Sequence, residues 1–556
     1  MLKSLPMAND PQTAQQQQGV TSEPQAPTPT AKPAGHDTAP PPALLAFMLK
    51  EWKPAPTKPP PVLKNVEAFQ ARRQALSKLF PGETLIIPTG HEKTRANDTT
   101  YRFRPGTDFY YLTGNTEPDC VLVLVPKQGG GHTDVLFVEP NPGRSDPTFF
   151  TDRVKGELWV GPRLGVEQSR VRFGVHEARG LPELSEFLGS LKAPATRPHR
   201  VLRRFSEKVD TVLPEHAERD KQLATALSEM RLIKDAQEVR ELSAVIDATK
   251  RGFEDVIRSM KTAESQSERM VEGVFNLRAR VEGNDVGYNT IAACGSHACI
   301  LHWMRNDGQL KPGELLLLDA GVEGNSLYTA DITRTLPING KFSKEQREIY
   351  ELVLAAQAAA FEAVKPGNDF MEPNRRAMRV LAEGLERLGL LPSAEEALKD
   401  ENQFYKRYSL HNVSHMLGLD VHDCAQARQE VYKYGKLQAG MVLTVEPGLY
   451  FQTDDLTVPA RYRGIGVRIE DDVLVTKTGM KNLSAHIPSA SRDVEAWMAE
   501  LWNGTGGKAK AGAAKRAVAN AKATVAKARA KAKGTVAKAK GAVAKAKGAV
   551  AEAKRR

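Results

Sequence analysis

The sequence predicts an α/β chain of the α+β kind, with two folded lobes set between two ends that cannot fold alone. Three observations carry that reading. Proline is concentrated at the start, with 14 of the 35 prolines before Val62. Positive charge is concentrated at the end, where Lys508–Arg556 holds sixteen Lys and Arg against one acid, Glu552. Between these ends, short apolar runs alternate with helical periods, the pattern of strands and amphipathic helices. The 556 residues leave room for about three domains. With 41% hydrophobic and 26% charged residues, wholesale disorder is excluded.

Taken in order, residues 1–62 read as a Pro- and Gln-rich extension that cannot offset its ordering entropy. One apolar island, Ala43 to Trp52, reads as a short helix docking onto the body. Residues 63–222 form the expected first lobe. Thr84–Pro88, Val121–Val125 and Asp134–Val138 are buried-strand runs, and Val66–Leu79 and Leu181–Leu191 have helical periods. The polar stretch Arg203–Ala226 reads as a linker between lobes. Residues 223–500 form the second lobe, opened by a capping box, Asp235 with Glu238, and a helical period through Met260. A second capping box, Ser343 with Gln346, starts a helix through Val364. Strand runs lie at Glu314–Asp319, Met441–Glu446 and Gly466–Thr476. Residues 501–556 are a low-complexity Ala/Lys tail whose heptads each carry a glycine, which lowers helix stability by about 1 kcal/mol apiece.

The tail carries a net +15 in a chain of net +11, so the body before Lys508 is mildly acidic at −4. A basic pI therefore says nothing of nucleic-acid binding by the folded lobes. No run of about 18 uncharged apolar residues occurs, so no membrane span is expected. The first residues lack an apolar stretch of the kind a secretory signal needs. Four scattered cysteines without a CxxC pair argue against a disulfide framework or a cysteine-rich zinc site, and for a cytoplasmic protein. HExxH, GxSxG and GxGxxG are absent, which excludes zincin, nucleophile-elbow and dinucleotide-fingerprint chemistry.

The chemistry concentrates in the second lobe. Asp319 follows four leucines, and Asp331 lies symmetrically beyond a turn centred on Asn325. A hairpin closing there would set the two carboxylates opposite each other, about 5 Å apart at Cβ. Carboxylates that close need a proton or a cation between them. Glu446 ends an apolar strand stopped by Pro447-Gly448, and Arg468 and Glu470 share a strand face by the period of two. His411, His415 and His422 fall within twelve residues, beside apolar Met416, Leu417 and Leu419.

This set resembles the pita-bread metallopeptidases, most closely the bacterial Xaa-Pro aminopeptidases. The matching strings include Tyr288-Asn289-Thr290-Ile291, Ile300-Leu301-His302, Leu318-Asp319-Ala320-Gly321, Asp331-Ile332-Thr333-Arg334-Thr335, Ser414-His415, Thr444-Val445-Glu446-Pro447-Gly448 and Tyr462 to Asp471. Phe103-Arg104 and Asp108 to Gly114 match the family's first lobe. The resemblance implies an aminopeptidase-P-type N-terminal lobe followed by a pita-bread catalytic lobe. It implies two Mn²⁺ ions held by Asp319, Asp331, His415, Glu446 and Glu470, a donor set of hard oxygens that suits that metal. It makes Glu446 the general base as well, and gives His302, His411, His422 and Arg468 catalytic or substrate-contacting roles. Asn412 replaces a usual glycine, and Cys424-Ala425 replaces Val-Gly. The expected activity releases the N-terminal residue from peptides with proline second. Prolidase, a dipeptidase on the same fold, is the alternative. A homo-oligomer, dimer or tetramer, is expected, and the tail of residues 508–556 is expected to bind DNA or RNA without sequence preference.

Overall fold

The computed structural model describes residues 39–53, 60–191 and 198–504. The first 38 residues of the expected extension and the basic tail from 505 on lie outside the described residues. The described chain divides into two compact units. The smaller combines the described residues before Pro56 with Glu92–Phe103 and Pro142–Arg163. In it the apolar island forms a helix, Pro42–Met48, none of whose residues is buried. Docking falls instead to Trp52, whose ring centroid lies 5.9 Å from that of Phe149 and 6.1 Å from that of Phe150. The Arg144 guanidinium lies 5.5 Å from the Trp52 ring centroid.

The larger unit opens with α1 (Val66–Leu79), β1 (Thr84–Pro88), α2 (Thr107–Thr113), β2 (Val121–Pro126), β3 (His132–Val138), β4 (Glu177–Gly180) and β5 (His199–Val201). These strands make one sheet in the order β4-β3-β2-β1-β5. The apolar runs are continuous because both faces are covered. Leu85, Ile87, Leu122, Leu124, Leu136 and Val138 enter the main core, while Ile86, Val121, Val123, Val135 and Phe137 enter a second cluster. The stretch expected as a linker is α-helical instead. Glu207–Val212 is followed by α3 (Ala217–Met230), and the expected boundary after residue 222 falls inside that helix. Polar composition misleads here because α3 is two-faced. Leu223 and Leu227 join the core, and Asp220 accepts from Val201 N at 2.8 Å and Arg203 Nε at 2.7 Å.

The remaining elements that place the site are α4 (Ala236–Ser259), α5 (Glu268–Glu282), β6 (Ile291–Cys294), β7 (Leu315–Ala320), β8 (Ile332–Pro337), α6 (Lys344–Ala363) and α7 (Glu372–Arg387). They are followed by β9 (Val442–Val445), β10 (Gly448–Tyr450), β11 (Gly466–Arg468), β12 (Asp471–Val475) and β13 (Met480–Asn482). Both expected capping boxes form, at Asp235 with Glu238 and at Ser343 with Gln346. Small antiparallel sheets, β8-β7-β6, β9-β12-β13 and β10-β11, replace one large sheet. The expected long strand Gly466–Thr476 is broken at Ile469-Glu470, where the chain leaves β10 and joins β9. At that switch Glu470 N donates to Thr333 O at 3.1 Å.

The hairpin of β7 and β8 closes one residue later than the sequence symmetry suggests. Asp319 pairs with Thr333, not with Asp331. Gly324 N bonds Tyr328 O, and Leu327 takes a left-handed φ of 60°, so the turn centres on Ser326. The partner of each strand residue is thus displaced by two. An even displacement keeps every side chain on its face. Asp319 and Asp331 are therefore diagonal neighbours on one face rather than directly opposed.

Gly321 permits this approach. A Cβ there would stand 1.7 Å from the Ala330 carbonyl oxygen. Gly321→Ala should cost about 3 kcal/mol, the upper end of ordinary overpacking. Gly273, inside α5, has nothing within 4 Å of its ideal Cβ, so Gly273→Ala should stabilise by about 0.5–1 kcal/mol. Urea melts of the two variants test both signs. Equal stabilities would overturn this account of the hairpin.

Candidate active site

Side chains from four places converge beside β7 and β8. The Tyr288 hydroxyl lies 2.7 Å from Asp319 Oδ1 and 2.6 Å from Asp331 Oδ1. One hydroxyl proton cannot serve both carboxylates, so the pair calls for a second proton or a cation. His415 Nε2 lies 3.3 Å from Asp331 Oδ2 and 3.5 Å from Glu446 Oε1. Thr333 Oγ1 donates to Glu470 Oε2 at 2.7 Å and accepts from Arg468 Nε at 3.2 Å. Asp331, His415 and Glu470 hold ligand atoms within 4.8 Å of one another, a cluster that could bind a metal ion. Asp319 and Glu446 adjoin it through Tyr288 and His415. All five residues expected to ligate metal are thus brought together.

The four remaining sequence candidates flank this cluster at different depths. Arg468 Nη2 donates to Asp319 Oδ2 at 2.5 Å and Nη1 to the Tyr450 hydroxyl at 3.0 Å. His411 Nε2 lies 2.8 Å from the same hydroxyl, and its Nδ1 lies 3.5 Å from Glu446 Oε2. The His422 ring stands edge-on to His415, with centroids 4.4 Å apart. His302 is exposed and lies within electrostatic range of His411 and His422. The departures Asn412 and Cys424 leave this arrangement intact. Asn412 offers its carbonyl to His411 Nδ1 at 2.9 Å, and Cys424 is buried with φ 62°.

Backbone clamps hold the strand ends that carry the acids. Gln357 of α6 places Nε2 3.1 Å from the carbonyls of Val445 and Ile469 and 2.9 Å from Asp471 Oδ2. Those carbonyls immediately precede Glu446 and Glu470. Arg334, fully buried, donates to Glu470 O at 2.6 Å and Asp471 Oδ1 at 2.8 Å. Asp472 Oδ2 accepts from Asp331 N at 3.1 Å.

Sequence reasoning assigned no role to Tyr288, Thr333, Tyr450 or Gln357. Thr333 was within reach, since it follows Asp331 by the strand period of two. Gln357 carries no such signal, because one polar residue in an apolar helix face has no local partner to reveal it.

The electrostatics follow from burial. Burial, then the charges of Asp331 and Glu446, push the Glu470 carboxyl well above the ordinary carboxylate range. Burial likewise raises Asp319 and pushes Glu446 up to about 7. Burial alone would lower His415, but its bond to Asp331 and the charge of Glu446 outweigh that and push it up to about 9. His411 is pulled down to about 4 by burial and by the Arg468 charge. The donor set therefore fits a divalent cation: crowded carboxylates and a proton-loaded histidine are what a bound cation would relieve.

Comparison with known proteins agrees. The sequence pattern of Metallopeptidase family M24 matches residues 239–477, and that of the aminopeptidase P N-terminal domain matches residues 69–199. Xaa-Pro aminopeptidase 1 of Streptomyces coelicolor is 52% identical over 433 residues, 78% of this chain and 87% of that protein. The chain belongs to metallopeptidase family M24, on its aminopeptidase P branch. Human Xaa-Pro aminopeptidase 3 is 33% identical over 460 residues, 78% of this chain and 86% of its own. The Escherichia coli aminopeptidase P structure with the inhibitor Pro-Leu superposes with a TM-score of 0.70 at 31% identity, covering 79% of this chain and 100% of that one. A zinc-substituted form with product has the same TM-score at 32% identity, covering 79% and 99%. The protein is a hydrolase that depends on divalent metal, as its family and its acidic cluster require. Among the described residues no helix is long and apolar enough to cross a membrane.

The proton-loaded groups give a pH dependence with a definite sign. His415 binds a proton more tightly folded than unfolded, so its stabilisation is present below its ordinary pKa of 6.5 and lost as pH rises towards about 9. Glu446 acts in the same direction between its ordinary 4.5 and about 7. His411, depressed to about 4, acts oppositely, but only below 6.5. Metal-free protein should therefore lose thermal stability as pH rises from 6.5 to 9. Mn²⁺ should abolish that decline, because binding requires the deprotonated ligands. A chelator-treated sample whose Tm rises over this range would contradict the assignment.

Proposed function

We propose that this chain releases the N-terminal residue from peptides whose second residue is proline. In this reading Asp319, Asp331, His415, Glu446 and Glu470 hold two divalent ions, with Mn²⁺ the preferred metal. The observation that supports it most is the meeting of four acids and one imidazole, drawn from segments far apart in the sequence, in one buried cluster. The relatives' printed name, Xaa-Pro aminopeptidase, favours this over the prolidase alternative.

When bound, the ions would supply an activated water and polarise the scissile carbonyl. The chain's own groups do the rest. Glu446, with its two oxygens 3.5 Å from His411 Nδ1 and His415 Nε2, is the carboxylate proposed to take up a proton as general base at the reaction centre. His411, kept neutral by burial and by Arg468, presents Nε2 to the Tyr450 hydroxyl and orients it. Burial would discharge Arg468, but Tyr450 and Asp319 hold it well above its ordinary pKa, so it stays cationic beside the acids. His302 and His422 are proposed to contact the substrate. An imide bond to proline lacks the N–H that general aminopeptidases use, and its ring fixes φ, so a dedicated site is required.

A cytoplasmic location is proposed, in keeping with four scattered cysteines that are all buried and include no CxxC pair. A dimer or tetramer is the proposed assembly. The tail from Lys508, net +15 with no aromatic residue to stack a base, is proposed to hold nucleic-acid backbone by charge alone.

Metal-stripped protein reloaded with Mn²⁺ should cleave Xaa-Pro-Yaa tripeptides at least about tenfold faster than Xaa-Pro dipeptides. The reverse preference would establish prolidase. Asp331→Ala should lose bound metal by elemental analysis while keeping its circular dichroism, whereas His422→Ala should keep metal and lose about 10²-fold in kcat. Two metals per chain in Asp331→Ala would overturn the ligand assignment. Deletion after Gly507 should abolish salt-sensitive binding to random duplex DNA and leave peptidase activity intact. Unchanged binding would locate any such contact in the folded lobes.

A further inference from the structure

We propose that Glu268 is a positioning residue for His302, a role that rests on the reading of His302 as a substrate contact. Glu268 is the first residue of α5 and is 0% exposed. Its carboxylate accepts four hydrogen bonds. Oε1 takes Cys294 N and His297 Nδ1, each at 2.7 Å. Oε2 takes Trp303 Nε1 at 2.8 Å and Gly308 N at 2.7 Å. Four donors fill the lone-pair capacity of an ionised carboxylate. Three of them are uncharged N–H groups with no other charge to meet, so Glu268 has no exit from this arrangement that leaves them paired.

The donors lie at positions 294, 297, 303 and 308, and they bracket His302. Trp303 also stacks on His297, with centroids 3.9 Å apart and planes 27° apart. Gly308 is confined to glycine here, since a Cβ would stand 2.8 Å from both Glu268 Oε2 and His297 Cε1. On its other edge the same segment is held by Gln452 Nε2, which donates to Cys299 O at 2.8 Å, and by Cys299 Sγ, which lies 3.3 Å from Phe451 O. His302 itself is exposed, and its one hydrogen bond among the described residues is from Met304 N to its carbonyl. Its place therefore comes from its neighbours, and Glu268 is the group that ties most of them. Glu268 makes no hydrogen bond to any proposed metal ligand, and three of its four donors, at 297, 303 and 308, lie on the segment that carries His302.

Glu268→Gln keeps the volume but turns one oxygen into an NH₂ that faces two N–H donors. Trp303→Phe keeps the stacked ring and removes one donor. Both variants should retain full metal content and lose activity on Xaa-Pro-Yaa peptides, by about 10- to 100-fold in kcat/KM for Glu268→Gln and less for Trp303→Phe. The deciding measurement is a double-mutant cycle with His302→Ala. In that background Glu268→Gln and Trp303→Phe should have no further effect. If either lowers kcat/KM equally with and without His302, the role is general scaffolding and the proposal fails. Unchanged activity in both variants also overturns it. If Glu268→Gln does not fold, Trp303→Phe decides alone. His302→Ala with full activity would instead overturn the reading of His302 on which the proposal stands.

Discussion

Crowding of like charge in a dry pocket is the constraint on which the rest of this structure depends. Asp319, Asp331, Glu446 and Glu470 all approach within reach of one Tyr288, one His415 and one Arg468. No arrangement of those three neighbours neutralises four carboxylates, and burial drives the pKa values of Asp319, Glu446 and Glu470 upward instead. A pocket built this way costs stability until cations enter it. The fold must therefore hold the acids together against their repulsion, and much of the surrounding hydrogen bonding serves that end.

Much of the holding is done through backbone, beside the bonds that Tyr288, Thr333 and Arg468 make to the acids themselves. Gln357 and Arg334 grip the peptide groups next to Glu446 and Glu470, and Asp472 grips the amide of Asp331. Gly321 lets the two strands of the hairpin approach closely enough for a diagonal pair of aspartates to share one tyrosine. The loop on the far side of the cluster is held the same way, with Glu268 gathering four donors around His302. A site that needs several mobile charges kept in register is thus framed by small, neutral or internally paired groups, whose replacement would be felt as lost geometry before lost chemistry.

The carboxylates at strand ends and the clustered histidines were legible because each sits beside an apolar run that cannot be solvent-exposed. Acid after four leucines is a strong statement about burial whatever the partner. The buried first sheet was legible for the same reason, and the two capping boxes because their bonds are local. The misreadings share a cause as well. Arg203–Ala226 has a polar composition, yet α3 hides Leu223 and Leu227 on one face, and a sparse apolar stripe is lost in an average. Symmetry of residue types centres the turn on Asn325, one residue before Ser326, because it does not register the left-handed φ of Leu327.

By itself the sequence determined which groups must be buried, which strand faces the acids share, and where helices begin, because these depend on period and on contacts a few residues apart. It also determined the charge separation between an acidic body and a basic tail. Only the tertiary structure decided the pairing of Asp319 with Thr333, the sheet switch at Ile469-Glu470, the clamps by Gln357 and Arg334, and the gathering of Cys294, His297, Trp303 and Gly308 on Glu268. Each of these joins residues whose contact is fixed by packing of distant elements, and no local propensity encodes which of many possible long-range partners a buried polar group will meet.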